Sequence, residues 1–209
     1  MERLSGLCVY IYPKLIKHML SREKMISMIR RSQTYISVLL FTFVFIFCWK
    51  TTNLDITKIE LSKWGQSGFV SIIWNGAVLI FSLSIAVNSW LYMRGHKRLK
   101  HRRKFYILFA FLPMALAVVG LFDAFSHPYI HSVAAGLYFF VYPLTIFLFA
   151  HFNRKNMQYL QWTTHITLAV LMAITPISFM LLFKGKAIAE TVHTLLVIIY
   201  NVMIARHEH

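Results

Sequence analysis

Residues 68–93 read GFVSIIWNGAVLIFSLSIAVNSWLYM, and residues 94–104 directly after them read RGHKRLKHRRK. The first stretch contains no Asp, Glu, Lys or Arg, and the second carries seven basic residues and no acidic one. About 20 apolar residues of helix cross the hydrocarbon core of a bilayer. Residues 68–93 are therefore long enough to span it, with a surplus that tilt or extension beyond the bilayer absorbs. A dense basic segment immediately after a span belongs on the cytoplasmic side.

Outward from this pair, the same alternation repeats. Apolar runs rich in Leu, Ile, Phe, Val and Ala occupy 34–50, 68–93, 104–124, 129–151, 162–183 and 187–205. The sequence predicts an all-α, polytopic membrane protein: a six-helix transmembrane bundle over 34–209, preceded by a basic N-terminal segment over 1–33. Composition agrees. Hydrophobic residues make up 58% of the chain and charged residues 14%, against roughly a quarter charged in a soluble domain. Pro113, Pro143 and Pro176 lie well inside spans three, four and five, and each removes a backbone donor, so each is expected to bend its helix.

The formal charge of +15 raises nucleic acid as a partner. Its distribution argues against that, because the basic residues sit between apolar runs and no nucleic-acid-binding motif accompanies them. Of the Lys and Arg residues, 17 fall in 1–33, 94–104, 153–161 and the C-terminus, and five fall in the alternate connections. The richer side is expected in the cytoplasm. Six spans then place both termini there, in a multi-pass protein of the cell membrane.

In residues 1–33, Leu4, Cys8, Ile11, Leu15 and Met19 recur at helical spacing with Lys14, Lys17, Arg22 and Lys24 between them. This reads as an interfacial amphipathic helix interrupted at Pro13. A disordered basic tail is a second reading, and a start at Met25 or Met28 a third. No cleavable signal peptide is expected, since the first strong apolar run begins near Tyr35 and no small-residue cleavage site follows. Cys8 and Cys48 fall on opposite sides of the first span and are not expected to pair.

The connection TTNLDITKIELSKWGQS, residues 51–67, is the one outer loop of substance. It ends in IELSKWGQSG and leads to Trp74-Asn75-Gly76; span three ends in VVGLFDAF, and span four reads HSVAAGLYFFVYPLTIFLFAH. This order resembles a prokaryotic family of six-span membrane proteins of unknown function. It is similar, more distantly, to the family of FGF-receptor-activating protein, DRAM and Sfk. The resemblance covers about residues 59–151 well and the last two spans loosely. The prokaryotic family often has proline where this chain has Asp123, and Glu-Arg where it has Glu190-Thr191. The eukaryotic relatives imply a role tied to lipid remodelling, sorting or autophagy.

Ionisable groups at membrane depth are functional suspects. Asp123 closes span three, His127 sits in the next turn, and His131 lies just inside span four. Glu190 and His193, three apart, share one face of span six. If spans three, four and six adjoin, Asp123, His131, Glu190 and His193 could converge as a catalytic cluster or proton relay in the outer half of the membrane. The bland reading is that they are loop residues and a buried structural pair. These are zinc-ligand types, but no HxxxH or HExxH spacing is present, and no metal is expected. Haem would need paired histidines, for which His131 with His193 is the only candidate pair at similar depth; no cofactor is expected. His151 and His165 are expected at the head-group level.

Lys97, Arg98, Lys100, Arg102, Arg103 and Lys104 are expected to bind anionic lipid head groups, lacking internal partners. Asn75 and Asn88 read as interhelix hydrogen bonders. The stripe Tyr138, Phe139, Phe140 and Tyr142 reads as packing or lipid contact. Ala134, Ala135 and Gly136 beside it favour close helix approach and make span four the expected centre of the bundle. Two function classes remain. One is a non-enzymatic membrane protein that binds lipid or a protein partner, with a homo-oligomer left open. The other is a membrane-embedded lipid-active enzyme or transporter.

Overall fold

The computed structural model describes residues 2–52, 61–65, 68–95, 99–122, 126–182 and 186–206, with side chains in the first helix described from Lys24 onward. Among the described residues, eight α-helices make up the bundle: α1 Glu2–Thr52, α2 Gly68–Gly95, α3 Arg102–Phe111, α4 Met114–Leu121, α5 Pro128–Gly136, α6 Tyr142–Asn153, α7 Tyr159–Leu182 and α8 Ala187–Arg206. No strand occurs among the described residues. Six helical segments among the described residues are long and apolar enough to cross a membrane: Lys24–Thr52, Gly68–Arg94, Arg102–Leu121, Pro128–Asn156, Tyr159–Phe179 and Ala187–Arg206. The protein is an all-α, multi-pass membrane protein.

Its outer surface is apolar. Phe43, Phe69, Ile72, Phe111, Leu181 and Leu182 are each about 70% exposed or more, while Arg30, Asn88, His165, His193 and Asn201 are buried. Polar groups inside and large apolar groups outside is the arrangement a lipid solvent imposes.

The first helix departs from expectation. It continues through Pro13 without the interruption expected there. Two arginines ahead of residue 34 are tied to the far end of the chain. Arg30 Nη2 donates to the Ala205 carbonyl at 3.2 Å, and Arg31 Nη2 donates to the Arg206 carbonyl at 3.2 Å. Arg206 Nε in turn donates to the Tyr35 hydroxyl at 2.8 Å. The last carbonyls of a helix have no intrahelical donor and carry partial negative charge. The two arginines of α1 supply what the end of α8 needs, so charged residues are accommodated inside the helical run.

The three prolines act differently. Pro113 divides span three into α3 and α4, with Ala115 and Leu116 bonding three residues back, to Leu112 and Pro113. Span four carries a π-helical turn at Leu137–Val141 immediately before Pro143, the kind of local rewinding that absorbs an irregular backbone bond. Pro176 lies within α7 with no break in the helix.

Consecutive spans are neighbours, and α8 closes the ring against α1. The second span touches the first, third and sixth, so α2 is at least as central as span four. The expected close approach at Gly136 is absent: a Cβ there would meet nothing within 4 Å. The tight contact is instead at Gly120, where a Cβ would lie 2.7 Å from Val78.

At one end of the bundle, a 3₁₀ turn, Leu61–Gly65, folds over the helices. Trp64 is buried and stacks edge-on against Trp74 at 5.0 Å and Phe45 at 5.3 Å. Asn75 Nδ2 holds the Gly65 carbonyl at 3.3 Å. This is the capped end. The opposite, basic end carries Lys100–Lys104.

Candidate functional site

The residues expected to converge form three separate backbone contacts. His131 Nδ1 pairs with the Phe122 carbonyl at 2.7 Å, which ties the start of span four to the end of span three. Glu190, in the first turn of α8, accepts the Leu61 amide at 2.7 Å and so anchors the cap. His193 Nδ1 pairs with the Met172 carbonyl at 3.0 Å. A carbonyl only accepts, so each histidine donates from Nδ1. His131 is buried rather than turned to lipid, while His127 is exposed and edge-on to Phe122 at 5.3 Å. Asp123 lies outside the described residues. Among the described residues, no three His, Cys, Asp or Glu side chains stand close enough together to hold a metal ion.

The His193 contact has a specific cause. In a regular helix the Met172 carbonyl would accept from the amide of residue 176, which is proline and has none. The imidazole of α8 fills that place.

Beside Glu190, an apolar groove opens between α1, the cap and α8. It has a volume of about 160 Å³ and is walled by Phe41, Thr42, Phe45, Leu61, Leu195 and Ile198, with Thr191 and Thr194. A smaller cavity of about 30 Å³ adjoins it through Phe41, Leu61 and Thr194 and reaches Glu190 and Trp74.

Deeper in the bundle lies a polar core that the sequence did not reveal as a unit. Asn88 Nδ2 donates to the Asn201 carbonyl at 2.8 Å and to its side-chain oxygen, an interhelix bond as the sequence led one to expect of Asn88. Gln161 Nε2 donates to the Tyr92 hydroxyl at 2.8 Å. Gln33 Nε2 donates to Ser84 Oγ at 2.8 Å, and Ser37 and Ser84 share a hydrogen bond at 2.6 Å. His165 is fully buried beside Tyr92, Phe149 and Tyr200. His151, by contrast, is exposed. The aromatic stripe divides: Tyr138, Phe139 and Tyr142 turn inward and Phe140 outward. The Tyr138 hydroxyl lies beside Thr194 and that of Tyr142 beside Ser89, neither in good hydrogen-bond geometry.

At the basic end, Lys100, Arg103 and Lys104 are exposed. Arg102 is not without internal partners: Nε donates to the Met93 carbonyl and Nη2 to the Arg94 carbonyl, both at 3.0 Å. It caps the C-terminal end of α2, the role basic side chains take at orphan carbonyls. The Lys100 amide donates to Asn153 Oδ1 at 2.6 Å. Lys97 and Arg98 lie outside the described residues.

Comparison with models of protein families, with curated proteins and with solved structures finds no match to this chain.

Proposed function

We propose that this protein is a non-enzymatic, lipid-binding protein of the cell membrane, with both termini in the cytoplasm and the capped end in the outer leaflet. The observation that carries this reading is the groove between α1, the cap and α8. It is apolar, and its volume of about 160 Å³ matches the engineered apolar cavities that take up small hydrocarbons. The occupant we assign is the acyl chain of an outer-leaflet phospholipid. The backbone contacts of His131, Glu190 and His193 support a binding role over an outer-leaflet catalytic one, because each side chain already serves the fold.

The orientation rests on the 17-to-5 basic asymmetry. Anionic head groups on the cytoplasmic face would meet Lys100, Arg103 and Lys104, at about 1 kcal/mol per basic residue near the surface, together with Lys97 and Arg98. Arg102 would contribute charge while bonded to α2. The likeness to the six-span prokaryotic family and to the relatives of FGF-receptor-activating protein, DRAM and Sfk fits a lipid-linked role.

The test fills the groove from its rim. Thr42→Trp and Leu195→Trp change exposed positions and leave the buried core intact. A spin-labelled phosphatidylcholine should show a motionally restricted population with the parent protein in outer-leaflet-labelled vesicles, and that population should shrink in the double variant. Equal restricted populations in parent and variant would overturn the reading.

A further inference from the structure

We propose that the basic end carries a site for a phosphate monoester where residues 99–104 meet the end of span four, and that its ligand is the head group of a phosphatidate-type lipid. The inference rests on the head-group reading of the basic end, and on neither the groove nor the sidedness.

Two segments distant in the chain are locked together here. Asn153, the last residue of α6, is fully buried. Its Oδ1 accepts the Lys100 amide at 2.6 Å, and its Nδ2 donates to the Phe149 carbonyl at 2.9 Å and to the Lys100 carbonyl at 3.5 Å. The backbone of Lys100 is held on both sides, and its side chain is exposed. Rings extend the junction at the surface. His101 meets Phe152 edge-on at 5.4 Å, and Phe152 meets His151 edge-on at 5.6 Å. All three are exposed. Beneath them, the buried Phe105 of α3 packs edge-on against the buried Phe149 of α6 at 5.4 Å. The surface rings are mounted on a fixed apolar base.

Both segments bring positive charge to this junction. Lys104 follows His101 by three residues and Lys155 follows His151 by four, spacings that set side chains on one face. Lys100, Lys104 and Lys155 are exposed. Arg154 is turned aside, its guanidinium 4.7 Å over the Trp162 ring, so it adds charge without lining the site. From residue 94 to residue 161 the sequence contains one acidic residue, Asp123, in the connection a full span away. The second basic segment is what the loop 94–104 read alone does not reveal.

Two basic segments meeting at one ring suit a ligand with several acceptors. A phosphate monoester carries a charge of about −1.5 to −2 and three terminal oxygens, whereas a phosphodiester head group has one charge and two free oxygens. A lysine ammonium has three N–H donors and an imidazole at least one. The monoester can therefore be bonded from residues 99–104 and from the end of α6 at once. Phe152, an apolar ring 46% exposed among these donors, favours a phosphate with hydrocarbon attached over a free one. Basic pockets between membrane helices are a recurring setting for such head groups.

The experiment offers the purified full chain equal amounts of phosphatidic acid and phosphatidylglycerol in detergent at low salt, and reads retained lipid by native mass spectrometry. The parent should retain phosphatidic acid preferentially. Lys155→Gln and His151→Ala should each lower that retention about fivefold, equivalent to about 1 kcal/mol for one surface charge or hydrogen bond, while phosphatidylglycerol falls by less. Lys63→Gln, exposed at the capped end, should change neither lipid, and all variants should keep the parent unfolding midpoint. Inorganic phosphate in molar excess should leave the phosphatidic acid bound; its displacement would assign the site to soluble phosphate and overturn the lipid. Parent-like selectivity in the variants at 151 and 155 overturns the site. So does equal retention of the two lipids by the parent, and if Arg103→Gln and Lys104→Gln still weaken both, the broader head-group reading stands without it.

Discussion

His193 of α8 donates from Nδ1 to the carbonyl of Met172 in α7 at 3.0 Å, the carbonyl that Pro176 leaves without a helical donor. Two irregularities, a buried imidazole and a mid-span proline, are one interaction. Their coupling should be measurable. Pro176→Ala restores a backbone donor to Met172 and makes the imidazole redundant. In a double-mutant cycle with His193→Ala, followed by unfolding in detergent, the loss caused by His193→Ala should be smaller in the Pro176→Ala background. The expected coupling is roughly 0.6–2 kcal/mol, the range of interhelix hydrogen bonds in membranes. Additive losses would mean that the two sites are independent.

Arg30 and Arg31 should differ in weight. Both reach carbonyls at the end of α8, but the Arg30 contact is buried and the Arg31 contact exposed. Arg30→Met strands a carbonyl and should cost about 1.5–3 kcal/mol, as for hydrogen bonds to charged groups. Arg31→Met should cost less than about 1 kcal/mol. Thermal or denaturant unfolding of the purified protein checks the order, and an inverted order would contradict the contact.

The cap should open when Glu190 is truncated. Its carboxylate receives the Leu61 amide at 2.7 Å, a charge-assisted bond. Glu190→Ala should raise the hydrogen-exchange rate at Leu61 and the neighbouring Trp64, and Glu190→Gln, which keeps an acceptor, should raise it less. Unchanged exchange at Leu61 in the alanine variant would show that the aromatic contacts of Trp64 hold the cap unaided.

The basic end should separate charge from capping. Arg103→Gln and Lys104→Gln should weaken retention of anionic lipid at low salt, with the difference fading as salt is raised. Arg102→Gln should do the same and in addition lower stability, because it gives up two bonds to the end of α2. Lipid co-purification and unfolding midpoints distinguish the two effects.

Sidedness has its own measurement. A cysteine introduced at Lys100 should resist impermeant maleimide in intact cells and react after permeabilisation. One introduced at Lys63 should react from outside. Labelling of position 100 from outside would reverse the orientation.

The spans were legible because a membrane demands long apolar runs, and 68–93 announces itself by the absence of charge. The interior was not. Tyr138 and Tyr142 sit in a stripe with Phe140, and only the rotation of span four about its axis decides which of them faces inward. Arg30 and Arg31 looked like the edge of a span because their partners lie 175 residues away. Glu190 and His193 were recognised as polar groups on one face of α8. Their actual partners are a backbone amide and a backbone carbonyl, which carry no side-chain signature. His165 carried no sequence sign of the aromatic pocket that buries it beside Tyr92, Phe149 and Tyr200.

The bond from Arg30 to Ala205 also sets an order of events during synthesis. The first helix enters the membrane with two arginines whose carbonyl acceptors do not yet exist. At roughly 5–20 residues per second, a separation of 175 residues leaves those guanidinium groups waiting on the order of ten seconds or longer. Until the final helix arrives, α1 has reason to keep its basic end at the lipid–water boundary, and it settles to its full depth only when the chain is complete. A nascent protein stopped before residue 187 would therefore hold its first helix shallower than the finished one.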